Sequence, residues 1–416
     1  MLTRLYELPE QLSEAESQQL MQETLQAYEE HIDRFLPLYI RVLGEEMLEW
    51  RAEGSYLISP SGRRWMDCLG AGGVFGLGFR HPKVVAAIHK QADRVGLSSR
   101  LFLNPVTAAL AKKLCSIAPE GLDQVWFANS GTESLEAALK LARLATGRPG
   151  IVGTEFGYHG MSIATLSISG LEAWRKGTEP AVGGSAVIPF NDIAAVEAAI
   201  TPKTAAIFVE PIQGEGGVII PPDGYLKGLH EIADRNKCLL VLDEIQSGLG
   251  RTGKLFAFEH EGIRPDGVTI GKALSGGFYP VSAFLASSAV MDVFTPGIHG
   301  STYGGNPLAC AVASEALDVL VEEKLVERAA ELGVHLEARL RTMKTDKVEA
   351  VRVRGLWAGV QLKLSAGPAR PYCYQLKDRG MLCKDTHAQT IRLAPPLVIT
   401  REEIDWAVDQ LEAVLA

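Results

Sequence analysis

Short apolar runs without strict alternation punctuate the middle of the chain: Val125–Ala128, Ala205–Val209, Leu239–Leu242 and Val268–Ile270. Strands buried on both faces have this pattern, and several of these runs lead through a loop into a helical pattern. The region from about 100 to 300 therefore predicts an α/β unit with a mostly parallel sheet. The uncharged stretch Ala273–Met291 is broken by Gly276, Gly277, Pro280 and serines. It reads as buried interior rather than as a membrane span, which needs about 20 predominantly apolar residues.

The flanks are patterned differently. Residues 13–34 predict a helix opened by a Ser13/Glu16 capping box, with Leu20, Met21, Leu25 and Tyr28 recurring at helical spacing. Short β-like pieces follow near Tyr56–Ile58 and Trp65–Leu69, and then the glycine-rich run Gly70–Gly78. Beyond residue 306 the pattern is mainly helical from Ala311 to Met343, passes two short strands (Val351–Val353, Val360–Leu364) and ends in a helix capped by Thr400 and Glu403. Residues 1–60 are expected to form an N-terminal helix and a segment joining a small domain. Residues 61–305 form the large α/β domain, and 306–416 a smaller α+β domain.

Composition narrows the function classes. The 416 residues carry 41 Lys and Arg against 50 Asp and Glu, a formal net charge of −9 with the two signs interspersed. No basic stripe marks a nucleic-acid or anionic-membrane surface. Six cysteines lie far apart with no CxxC pair, so they are expected to be reduced thiols of a cytoplasmic protein. The N-terminus is acidic and lacks the apolar centre of a signal peptide. His89 and His230 lack metal-ligand spacing and receive no role, and no metal site is expected.

Three pieces carry chemistry. In VWFANSGTESLEAALKLA (125–142) an apolar strand runs into Ser130-Gly131-Thr132 and a helix opens, with Glu133 as capping-box partner of Ser130. Free N–H groups, hydroxyls and the positive end of a helix dipole together suit a phosphate. Asp243 closes the apolar run CLLVLDE, at the carboxyl end of a strand, where open α/β sheets place ligands. Lys272 follows another apolar strand inside uncharged surroundings, and desolvation would lower its pKa and make it a nucleophile. A phosphate cradle, a strand-end carboxylate and a desolvated lysine are the parts needed to hold pyridoxal phosphate.

From about residue 35 onward the chain resembles the class III aminotransferases of the fold-type I pyridoxal-phosphate enzymes, the putrescine, ornithine and acetylornithine types. The matching segments are FANSGTESLEAALKLA, GYHG (157–160), VEPIQGEGGV (209–218), LDEIQSGLGRTGK (242–254), TIGKALSGG (269–277), HGSTYGGNPLACAVA (299–313) and IRLAPPLVIT (391–400). The resemblance implies a seven-stranded, mostly parallel sheet between helices, with a small α+β domain beside it. It implies pyridoxal 5'-phosphate bound to Lys272 as an imine, with Lys272 also the proton shuttle. Asp243 would pair with the pyridine nitrogen, Gln246 with the phenolic oxygen, and Tyr158 would stack on the ring with His159 beside it. Ser130, Gly131 and Thr132 would hold the phosphate, and Thr302 would reach the phosphate bound by the neighbouring subunit of a homodimer.

The same resemblance implies ping-pong transfer of an amino group from an ω-amine to an oxo acid such as 2-oxoglutarate. Arg392 would bind the α-carboxylate, with Glu215 as a gate that covers it. Two positions depart from the ornithine type: Met161 stands where many members carry an arginine, and Phe35, by a looser alignment, where ornithine enzymes carry a tyrosine. A donor carboxylate would find no partner there, at a desolvation cost of several kcal/mol. This favours a putrescine-like diamine, while LCKDTHAQTIRLAPPLVIT looks like the ornithine enzymes. The alternatives are a longer, less polar amine or aldehyde, or an amino-acid racemase or epimerase on the same scaffold.

Overall fold

The computed structural model describes residues 1–42, 47–99, 101–178 and 182–416. An N-terminal helix, Glu14–His31, opens with the Ser13/Glu16 capping box in place and ends three residues before the sequence pattern suggests. A second helix, Leu36–Val42, follows.

Three sheets organise the described chain. The first contains the short strands β1 (Arg51–Glu53), β2 (Tyr56–Ile58) and β3 (Arg64–Asp67). The second, and largest, uses β4 (Gln124–Ala128), β5 (Gly150–Thr154), β6 (Ser185–Ile188), β7 (Thr204–Val209), β8 (Leu239–Asp243), β9 (Gly267–Ile270) and β10 (Ser282–Ala286). The third uses β11 (Val348–Val353), β12 (Ala358–Leu362), β14 (Lys384–Thr386) and β15 (Thr390–Leu393). The two-residue β13 (Met381–Leu382) pairs in parallel with β3, so the first sheet takes a strand from the C-terminal part of the chain.

The large sheet has the order β4-β10-β9-β8-β7-β5-β6. Only β10 runs against its neighbours, pairing antiparallel with both β4 and β9. All six residues of β7 and all five of β10 are buried, which is why these strands read as unbroken apolar runs. The chain is thus an α/β protein with a seven-stranded, mostly parallel sheet, and Ala273–Met291 contributes a fully buried strand.

The helix Gly131–Thr146 lies on this sheet and buries Leu135, Ala138, Leu139, Leu141 and Ala142 against Ile151, Phe208, Val241 and Phe284. Each fully buried Leu or Phe side chain is worth roughly 1.5–3 kcal/mol relative to exposure, so the position of its N-terminus over the sheet is firmly set. The expected single helical run from Ala311 is two helices, Pro307–Glu322 and Leu325–Arg341, separated at Lys324, which adopts a left-handed φ of 52°. The final helix, Arg401–Leu415, is closed by the Thr400/Glu403 capping box and buries Ile404, Ala407, Val408, Leu411 and Leu415. No helix among the described residues is long and apolar enough to cross a membrane.

Candidate active site

Parallel alignment brings the carboxyl ends of several strands to one edge of the sheet, and the loops that leave them converge. The turn from β4 into the Gly131–Thr146 helix carries Ser130, Gly131 and Thr132, and the loop after β5 carries Tyr158 and His159. Glu210 follows β7, Asp243 ends β8, and Lys272 follows β9. With Leu135, Gly160, Ile245 and Gln246 they line a cavity of about 190 Å³.

Ser130 caps the Gly131–Thr146 helix, its Oγ accepting from the Glu133 N–H at 3.2 Å. The reciprocal half of the expected capping box does not form. The Glu133 carboxylate instead accepts from the backbone N–H and side-chain amide of Asn129, both at 2.8 Å. The Ser130 carbonyl is held from the other side by Ser282 Oγ at 2.6 Å. Gly160 adopts φ +114°, and a Cβ there would run into Thr132, so glycine at 160 keeps the space in front of the helix N-terminus open.

Asp243 is buried, with 4% of its surface exposed. Its Oδ1 accepts from the Ile245 N–H at 3.1 Å and Thr269 Oγ1 at 3.3 Å, and its Oδ2 pairs with His159 Nδ1 at 2.8 Å. A carboxylate offers about four acceptor positions, so one remains for a cation or N–H in the cavity. Burial alone would push the His159 pKa down, but the hydrogen bond and charge of Asp243 carry it above the ordinary value.

Glu210 is equally buried and accepts from the Tyr158 N–H at 2.9 Å and the Gly214 N–H at 3.0 Å. Desolvation and the nearby Asp243 push it up to about 7. The Tyr158 ring meets Trp174 edge-on, with centroids 5.1 Å apart. Lys272 opens a short turn with φ +42°, a left-handed conformation that costs a non-glycine residue roughly 1–3 kcal/mol and is concentrated at functional sites. Half-buried at the cavity, its amine is lowered below the ordinary lysine pKa by desolvation and by the charge of Arg392.

The set fits pyridoxal phosphate. Gln246 is buried and its Nε2 has no protein partner, leaving a donor at the cavity wall beside Lys272. Free helix N–H groups, an acceptor position on Asp243 and an amine of lowered pKa complete the complement of an anionic phosphate, a pyridinium N–H and an aldehyde.

Comparison with known proteins agrees with this geometry. Residues 44–415 match the family model of class III aminotransferases. The chain belongs to that family. This aminotransferase is 47% identical over 374 residues to an ornithine aminotransferase of Bordetella pertussis, covering 88% of this chain and 90% of that one. It is 43% identical to an ornithine aminotransferase of Macrococcus caseolyticus over 88% of this chain and 93% of the relative. Among solved structures, it resembles an ornithine aminotransferase from Toxoplasma gondii with a TM-score of 0.86 and 38% identity, covering 89% and 90% of the two chains. The aminotransferase is a pyridoxal-phosphate-dependent transaminase.

Arg392, on β15, is 2% exposed, and its Nη1 donates to Glu215 Oε1 at 2.6 Å. Burial would raise the Glu215 pKa, but Arg392 and Lys384 hold it down at about 2. Neither Arg392 nor Glu215 is among the residues lining the cavity, and three other expected residues also lie outside it. Met161 follows the cavity-lining Gly160 but does not itself line the cavity, and it is 54% exposed. Phe35 is 73% exposed in the link between the first two helices. Thr302 is exposed in a separate groove of about 390 Å³ together with Ser98, Phe102 and Trp126. Glu210, Thr269 and Lys384 were not singled out from the sequence. Glu210 follows an apolar strand just as Asp243 ends one, so the strand-end rule would have found it.

Proposed function

We propose that this transaminase moves the amino group of an ω-amine to an oxo acid such as 2-oxoglutarate by a ping-pong route, as a homodimer whose sites receive Thr302 from the neighbouring subunit. The observation that carries this reading is the closed pair between Glu215 and the buried Arg392. A fixed, buried guanidinium suits a two-pronged carboxylate contact. Covered by Glu215, it is withheld from a donor that has no carboxylate at its reacting end, and it becomes available when Glu215 turns away.

When bound, the cofactor supplies an aldehyde that takes the amino group and a ring that accepts the electrons of the broken C–H bond. Lys272 would anchor that aldehyde, and its amine, already of lowered pKa, would serve as the base that takes and returns the substrate proton. Asp243, oriented by His159 and Thr269, would hold the ring's N–H. Gln246 would supply a hydrogen-bond donor, Tyr158 an aromatic contact, and Ser130, Gly131 and Thr132 would hold the phosphate.

For the donor we favour a diamine of the putrescine type. Lys272 is the one lysine or arginine lining the cavity among the described residues, and Met161, where an arginine could have stood, is apolar. A donor with a distal carboxylate would leave that charge unpaired. The names of the similar ornithine aminotransferases favour a second reading, ornithine as donor. Adding putrescine or ornithine singly to the purified holoenzyme and following loss of the visible cofactor band separates them. Faster bleaching by putrescine supports the first reading, and bleaching by ornithine alone overturns it in favour of the second.

A further inference from the structure

Lys384 and Arg392 stand directly opposite each other across the antiparallel pair of β14 and β15, so their side chains leave the same face of the sheet. Both reach one carboxylate. Arg392 takes Glu215 Oε1 at 2.6 Å, and Lys384 takes Oε2 at 3.0 Å. The two cations differ in setting: the Arg392 side chain is 2% exposed, whereas that of Lys384 is 45% exposed. The backbone of Glu215 is tied in place, because Thr386 Oγ1, also on β14, donates to its carbonyl. Only the side chain of Glu215 is left to move.

From this we infer that Lys384 is a positioning residue for the second half of the reaction, receiving the Glu215 carboxylate when a substrate carboxylate takes Arg392. The inference rests on the ω-amine and oxo-acid reading above. In the closed arrangement Glu215 is shared, and loss of the exposed lysine leaves it with its stronger, buried partner. In the open arrangement Lys384 is the cation still within reach. Without it a partly buried carboxylate would stand unpaired, which disfavours opening. A flexible, solvent-facing ammonium suits this task, since it can follow the carboxylate outward without leaving a buried charge behind.

The test uses the holoenzyme with Lys384→Met and Lys384→Arg, in its pyridoxal-phosphate form for the amine and in its aminated pyridoxamine-phosphate form for 2-oxoglutarate. Single-turnover rate constants are measured separately for the ω-amine and for 2-oxoglutarate, and calorimetry gives the affinity for glutarate, a dicarboxylate that cannot react. Lys384→Met is expected to lower the 2-oxoglutarate rate constant relative to that of the amine by about ten-fold or more and to weaken glutarate comparably. Lys384→Arg is expected to restore most of both. Equal losses in the two half-reactions, or an unchanged ratio and glutarate affinity, would overturn the role of Lys384. A wild-type enzyme that ran neither half-reaction would instead count against the functional reading.

Discussion

His159 Nδ1 and Asp243 Oδ2 stand 2.8 Å apart with both residues all but sealed from solvent. The pair fixes the carboxylate's second oxygen and leaves its remaining acceptor position toward the cavity. Breaking a buried pair by removing one partner typically costs about 3–5 kcal/mol. His159→Gln is therefore expected to lower kcat by roughly 10–100-fold, the range found when residues that orient a reacting group are lost. The pair also has a pH signature. The His159 pKa is raised in the fold, so its contribution is complete below the ordinary histidine value and is lost as pH rises through the raised one. Denaturation of wild type and His159→Gln across pH 5–9 should show their stability difference shrinking at the alkaline end.

Glu244 supplies a second pH-dependent quantity of opposite origin. It is buried, its Oε2 accepting from Ser247 Oγ at 2.6 Å and its Oε1 from the Phe258 N–H at 3.0 Å, and desolvation pushes it up to about 7. The folded state then holds the proton more tightly than the unfolded chain, so stability falls as pH climbs from 4.5 toward 7 and levels beyond. A glutamine keeps both hydrogen bonds, with the Ser247 hydroxyl turned round. Glu244→Gln should flatten that slope and stabilise the protein near pH 8 by about 3 kcal/mol relative to wild type, read from urea midpoints at each pH.

The Glu215–Arg392 pair should survive across the working range, because Glu215 titrates at about 2. Its contribution is present above the ordinary glutamate value and is lost only as pH falls through that depressed one. Glu215→Ala uncovers Arg392 permanently. The expected outcome is a donor range shifted toward α-amino acids: the single-turnover rate constant with glutamate rises, and that with an ω-amine falls by about ten-fold, near 1.4 kcal/mol of discrimination. An unchanged ratio between the two donors would contradict the gate.

Much of this was legible beforehand. Asp243 and Lys272 announce themselves because each interrupts or follows an apolar strand, and the parallel topology then places strand ends together. The Ser130 cap was legible for the same reason, although Glu133 turned to Asn129 rather than back to Ser130, a choice made by the loop's path and not by spacing. Glu210 stands directly after the apolar run Ala205–Val209, within reach of the same strand-end rule, but it was not singled out. The relation of Lys384 to Glu215 spans 169 positions and depends on β14–β15 register, which no local pattern encodes. Phe35, Met161 and Thr302 are exposed and do not line this chain's cavity, and their proposed roles depend on how subunits meet.

Glycine at 160 offers a test of the phosphate cradle that leaves every reacting group intact. A Cβ at this position would strike Thr132, and the left-handed φ of +114° strains any other residue. Gly160→Ala is expected to fold, since the clash lies at the cavity rim, but to release pyridoxal phosphate about ten-fold or more readily on dialysis, a shift of some 1.4 kcal/mol. Retention equal to wild type would place the phosphate elsewhere.

Lys272 is proposed as the covalent anchor of the cofactor, and every other role assigned to the site depends on it. Borohydride reduction of the holoenzyme, followed by digestion and mass spectrometry, tests it most directly. One pyridoxyl-phosphate adduct is expected, on the peptide containing Lys272 and absent from Lys272→Ala. An adduct on a different lysine of the wild-type protein would contradict it.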